Sequence, residues 1–225
     1  LFFDTSVIYK IVRKDSFGTA ISPTIGPYLS IDSNAQFDFT AKELLLPEIV
    51  STSGSLVDID FDLSTLESTY DRFIIEGYAI SDYTGARTDV GYIYFNEDLT
   101  DANYFSQALY AQTTTVTASS AANPSIVTLA SSWASALSNS YTVFTIVIES
   151  PMISSYTKGA INTGSYSRES ATLTTLGMYG VSSSITDAIT RIRIRTDDYA
   201  TDKIVGNFRI YGEREVSIVT AELGV

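Results

Sequence analysis

The chain has 225 residues, 44% of them hydrophobic, and carries 26 acidic against 14 basic side chains, a net charge of −12. That length suits one large all-β domain or a domain with appendages, and the acidic balance argues against nucleic acid, whose binding rests on neutralising phosphates. Histidine and cysteine are both absent, which excludes a disulfide framework, thiolate metal sites and a Ser-His-Asp triad.

The 30 Ser, 27 Thr and 15 Tyr suit pleated, half-exposed strands. No apolar run is long enough to predict a transmembrane helix, and "LFFDTSVIYKIVRKD" lacks the basic-then-apolar-then-small order of a signal peptide.

Residues 1–50 differ from the rest. "SVIYKIV" reads as a short strand and "SPTIGPYLSIDSNAQ" as a loop broken by Pro23, Gly26 and Pro27. "DFTAKELLLPEI" predicts a helical turn or two, with Asp38 or Thr40 as N-cap and Pro47 ending it. The segment has too little periodicity for a core of its own and reads as an arm, packed either on a neighbouring subunit or on its own domain.

From residue 55 short strands recur. "LVDIDFDL" alternates strictly, with Val57, Ile59, Phe61 and Leu63 on one face and Asp58, Asp60 and Asp62 on the other. "YDRFIIEGYAI" follows, with Gly77 a bulge or close-packing point, and then "VGYIYF". "DLTDANYFSQAL" carries a helical N-cap signal at Thr100 or Asp101. "YAQTTTVTAS", "SIVTLASSW", the strongly apolar "YTVFTIVIES", "GSYSRES", "ATLTTLGMYGV", "ITRIRIR" and "NFRIYGER" complete about ten strands. Turn signals at short spacing and the lack of long helical stretches predict an antiparallel jelly roll, with another sandwich or an up-and-down barrel as alternatives. The expected division is an arm over 1–50, a domain over 51–214 and a tail over 215–225.

Six of the 14 basic residues fall within 189–214. If 189–195 and 207–214 form a hairpin, Arg193, Arg195 and Arg209 share a face, and arginine forks recognise carboxylates and phosphates. The alternative is structural: the Arg row faces Asp58, Asp60 and Asp62 across paired strands, as one charge ladder. The three aspartates alone stand ~7 Å apart along a strand, too widely for one calcium ion.

Enzymatic signals are thin. "SYTK" at Ser155–Lys158 fits S-x-x-K, but the companion motifs are missing. Glu97, Asp98, Asp101, Asp197 and Asp198 could include a carboxylate pair for glycoside hydrolysis, yet spacing singles out none. The chain is therefore expected to be non-enzymatic, without metal or cofactor. Tyr78, Tyr83, Tyr92, Tyr94, Tyr104 and Trp133 are candidates for stacking on a glycan, with core packing as the competing role.

"ITRIRIRTDD…GNFRIYGE" resembles the C-terminal signature of a jelly-roll module common in tailed-bacteriophage virion proteins, an I-x-x-I-R-I strand followed by an aromatic return strand ending in "YG". "VDIDFDLSTLESTYDRFIIEGYAI" resembles the same module's opening. Gly206-Asn207 stands where that family often carries Gly-Ser, and residues 113–140 match nothing in it. The resemblance implies a non-enzymatic structural protein of a phage particle: a capsid decoration, tail or fibre component, repeated in many copies and docked through its arm. It implies other virion proteins and copies of the chain as partners and assembly in the host cytoplasm, and the lack of a long apolar run predicts no membrane insertion. A glycan-binding module for host attachment is the alternative, and a carboxylate-pair glycosidase a further one.

Overall fold

The structure, a computed structural model, describes residues 36–56, 58–66, 70–82, 89–112, 115–129, 141–168, 174–197 and 203–219. The chain divides into two compact units, residues 1–39 with 217–225, and residues 40–216. The second carries the sandwich.

Thirteen strands lie among the described residues: β1 (Gln36–Leu44), β2 (Ile49–Leu56), β3 (Asp58–Asp62), β4 (Arg72–Ser81), β5 (Asp89–Phe95), β6 (Tyr104–Gln112), β7 (Thr115–Ala121), β8 (Ser125–Leu129), β9 (Tyr141–Glu149), β10 (Gly159–Arg168), β11 (Thr174–Ser183), β12 (Arg191–Thr196) and β13 (Ile204–Val219). They build a nine-stranded sheet ordered β1-β13-β4-β9-β10-β11-β6-β7, with β2 also on β13, and a four-stranded sheet ordered β3-β12-β5-β8.

Eight strands form nested antiparallel pairs, β2 with β13, β3 with β12, β4 with β9 and β5 with β8. That is one long hairpin rolled up, with its outer pairs alternating between two sheets, and it defines a jelly roll. The hairpins β6–β7 and β10–β11 are inserted in it, and both extend the larger sheet beyond β9. The core lies between the sheets. Ile59, Phe61, Ile93, Phe95, Ile192 and Ile194 of the small sheet meet Phe73, Ile75, Ile146, Ile148, Phe208 and Ile210 of the large one.

Three strands exceed the expected ten. β1 takes the segment read as helical. Its run of helix formers is overridden by pairing with the edge of β13, and just past β1 Leu45 N donates to Ile210 O at 3.0 Å. β2 begins inside the expected arm, so residues 36–50 belong to strands or the link between them, while 1–35 lie outside the described residues. β6 takes most of "DLTDANYFSQAL", of which only Asp101–Asn103 forms a helical turn, of the 3-10 kind. At the other end, β13 runs past "YG" to Val219.

Gly77 is a close-packing point. A Cβ there would lie 2.2 Å from the Phe144 ring of the neighbouring strand. Gly206 sits at a register shift in β13, where a Cβ would meet the Tyr78 carbonyl oxygen at 2.0 Å.

Candidate functional site

The alternation in β3 and β12 sends isoleucines and Phe61 inward and the charged residues outward, and antiparallel pairing then sets them in register. Asp58 stands opposite Arg195, Asp60 opposite Arg193 and Asp62 opposite Arg191. Arg195 makes a two-pronged contact with Asp58, Nε to Oδ1 at 2.8 Å and one terminal nitrogen to Oδ2 at 2.7 Å. Arg191 reaches diagonally to Asp60, with Nε donating to Oδ1 at 2.7 Å, and also meets Glu97. Arg193 lies between three carboxylates, 3.4 Å from Asp58, 3.5 Å from Asp60 and 3.1 Å from Glu97. Its buried Nε makes no hydrogen bond among the described residues. Asp62 turns aside to accept from Ser64 N at 3.0 Å and Ser64 Oγ at 2.6 Å.

The hydrogen bond from Arg191 holds the Asp60 carboxyl below its usual pKa, against the opposing effect of burial. The same contact raises Arg191.

Arg209 is not part of this ladder. The hairpin expected for 189–195 and 207–214 does not form, because the connection between β12 and β13 crosses from one sheet to the other. Arg209 lies 2.9 Å from Glu48 instead.

Glu97 joins the ladder from the turn after β5, where Asn96 and Glu97 have φ of 51° and 65°. Asparagine tolerates that left-handed conformation, and glutamate adopts it seldom. Asn96 fixes the turn: its Nδ2 donates to Ala188 O at 2.8 Å and its Oδ1 accepts from Thr190 N at 2.8 Å. An asparagine just after an alternating strand was the available signal for this turn.

A tyrosine column lies on the other side of the arginines. Tyr92 is half-buried and packs edge-on to Tyr94 at 6.3 Å. Tyr94 is buried, lies beneath the Arg195 guanidinium, and donates its hydroxyl to Asp101 at 2.6 Å. Tyr104 meets Tyr94 edge-on at 5.5 Å and donates to Asp98 O at 2.9 Å. Burial first, then the Asp101 contact, pushes the Tyr94 phenol well above its ordinary pKa, and burial does the same to Tyr104. Tyr94 and Tyr104 therefore have no face to offer a sugar. Tyr83 and Trp133 lie outside the described residues.

Three guanidiniums thus face three carboxylates, Asp58, Asp60 and Glu97, so the row holds no uncompensated positive charge. A phosphate or acidic glycan would have to displace a carboxylate already in place. Arg195 and Arg193 are also mostly covered, with side chains 8% and 15% exposed.

Lys158 of the S-x-x-K match is buried, and its ammonium donates to the carbonyls of Ser150 and Ile153. Burial lowers its pKa. The nitrogen staples the β9–β10 connection rather than pointing at Ser155, which is exposed with φ of 110°.

The outer face of the large sheet carries a different arrangement. Tyr78 is exposed, stacks on Tyr141 at 5.9 Å, and borders an open depression of about 300 Å3 with Glu48, Glu76, Asn207 and Arg209. Among the described residues, no three acidic side chains are grouped to hold a metal ion, and no helix is long and apolar enough to cross a membrane.

Fold and pairing define the class: a jelly-roll β-sandwich with a charge ladder closing the outside of its smaller sheet. Comparison with known proteins finds no matching family model, no matching curated protein and no matching solved structure.

Proposed function

We propose that the chain is a non-enzymatic structural subunit of a bacteriophage particle, displayed on the virion as a capsid decoration, tail or fibre component and docked through its N-terminal segment. The observation that supports this reading is the nested strand pairing of the jelly roll. The stretches around 57–80 and 189–212 that carry the resemblance to phage virion modules supply β3, β4, β12 and part of β13 to that pairing. The neutralised arginine row adds support, because the strongest candidate ligand site is occupied by the chain's own carboxylates. Mass spectrometry of purified particles tests it. The expected result is the chain in stoichiometric copies, with antibody labelling on the particle exterior. Particles that lack the chain while the lysate contains it overturn the reading.

A second reading, a glycan-binding module for host attachment, has its own observation in the Tyr78 depression. An exposed aromatic ring there adjoins Glu76, Asn207 and Arg209, the kinds of group that stack on a sugar and fix its hydroxyls. Glycan-array binding that Tyr78→Ala abolishes would favour it, and no binding to any glycan would remove it.

A further inference from the structure

The outer face of the large sheet is divided by charge. On its β13-β4-β9 side stand Arg72, paired with Glu149 and Glu213, and Arg209, paired with Glu48. On the other side, β6, β7 and β11 contain no Asp, Glu, Lys or Arg, and β10 contains only Arg168 at its end. Strand register brings the exposed apolar residues of this half together. Met178 pairs with Leu109, and Leu176 with Ala111, which pairs in turn with Val116. Ile161 pairs with Gly180, and Ser182 with Phe105. Phe105, Leu109, Val116, Ile161, Leu176 and Met178 are each between 47% and 70% exposed.

Those fractions correspond to on the order of 700 Å2 from six residues, above the ~300–600 Å2 of a typical monomer's largest apolar patch and near the ~800 Å2 per partner of a standard interface. The patch also has relief. At one end Gly180 leaves an open depression of about 380 Å3 rimmed by Phe105 and Ile161, with Glu149, held by Arg72, as the one charged side chain on its β9 side. At the other, Leu109, Met178, Leu176 and Val116 stand up from the sheet without a glycine on their own positions.

We infer that this half-face binds a second copy of the same chain, the two large sheets packing outer face to outer face about a two-fold axis. Charge decides the occupant. A chain of net charge −12 repels its own copy wherever its acidic surface is presented, and this is the uncharged side of the sheet. A basic partner would be drawn to the acidic surface instead. Relief agrees with this choice, because a two-fold axis sets the ridge of each copy over the hollow of the other, as an isologous interface requires. The inference stands on the sheet face and does not depend on the virion reading.

Analytical ultracentrifugation of the full chain at micromolar concentration tests it. The expected species has twice the monomer mass. Leu109→Asp with Met178→Asp, a cross-strand pair, is expected to weaken association at least tenfold with circular dichroism unchanged, while Leu99→Asp, on the loop after β5, leaves it intact. If the double variant fails to fold, a nitroxide on Met178→Cys, in a chain without other cysteines, is expected to show dipolar coupling between copies. A monomeric wild type, association unaffected by the double variant, or a Met178→Cys label without intermolecular coupling each overturns the inference.

Discussion

Arg195 is the most enclosed member of its row, and its partner Asp58 is partly covered as well. Removing one member of such a pair leaves a charge in a poor solvent, whereas removing both does not. Asp58→Asn is therefore expected to cost about 2–4 kcal/mol, read as a lower urea midpoint with an unchanged slope. The double change Asp58→Leu with Arg195→Leu should cost less than Asp58→Asn alone. A single variant indistinguishable from the wild type would show that the ladder contributes no stability. Glu97 is a counter-case. Its carboxylate is half exposed, so its ion pairs contribute roughly 0–1 kcal/mol, while its left-handed backbone costs about 1–2 kcal/mol. Glu97→Gly should leave thermal stability within about 1 kcal/mol of the wild type, and a larger loss would mean that the carboxylate matters more than an exposed pair does.

Strands differ in how far their residues announce them. β3 and β12 are readable because one face is core and the other charged, so period two appears as letters. From that alternation the pairing of Asp58 with Arg195 follows once the strands are neighbours. The place of Arg209 does not, because a short gap between two strands looks the same for a hairpin and for a crossing between sheets. β6 is obscured for another reason. Its outer face carries Phe105, Leu109 and Ala111 beside a single polar Gln107, which blurs the period. β1 reads as a helix because "AKEL" favours one locally, and only the edge of β13, a long-range fact, makes it a strand. At Gly206 sequence and geometry meet. A Cβ on this glycine would approach Tyr78 O too closely for any side chain. Gly206→Ala should cost more than about 2 kcal/mol in thermal or urea unfolding, whereas Gly180→Ala, with nothing within 4 Å of the added carbon, should be neutral or stabilising. Equal effects at the two glycines would remove the argument from close approach.

For the molecule as a whole, the two ends of the pH scale draw on neighbouring groups of the small sheet, the ladder and the tyrosine column beside it. Asp60 titrates below its unfolded value when folded, through its hydrogen bond to Arg191. Its contribution is thus complete above about pH 4 and is lost as pH falls through the folded value. Acid unfolding should begin there, and Asp60→Asn should flatten the fall in stability below about pH 4 while lowering the plateau at neutrality. Tyr94 and Tyr104 have the opposite sense. Their folded values lie above the ordinary phenol value, so their contribution is complete below about pH 10 and is lost as pH rises further. Lys158 works against them. Burial lowers its folded value, so the penalty of holding it charged is present at neutral pH and is relieved as pH climbs toward about 10.4. The tyrosines dominate above that point, because the lysine's penalty is by then gone while theirs is still growing. Absorbance at the phenolate band should therefore show two phases. The first leaves circular dichroism native. Tyr94 and Tyr104 ionise only in a later, cooperative step that coincides with loss of the sheet signal. If instead all tyrosines titrate in one phase with the fold intact, the segment carrying Asp98 and Asp101 does not shield the tyrosine column, and the outside of the small sheet is open beside its ladder.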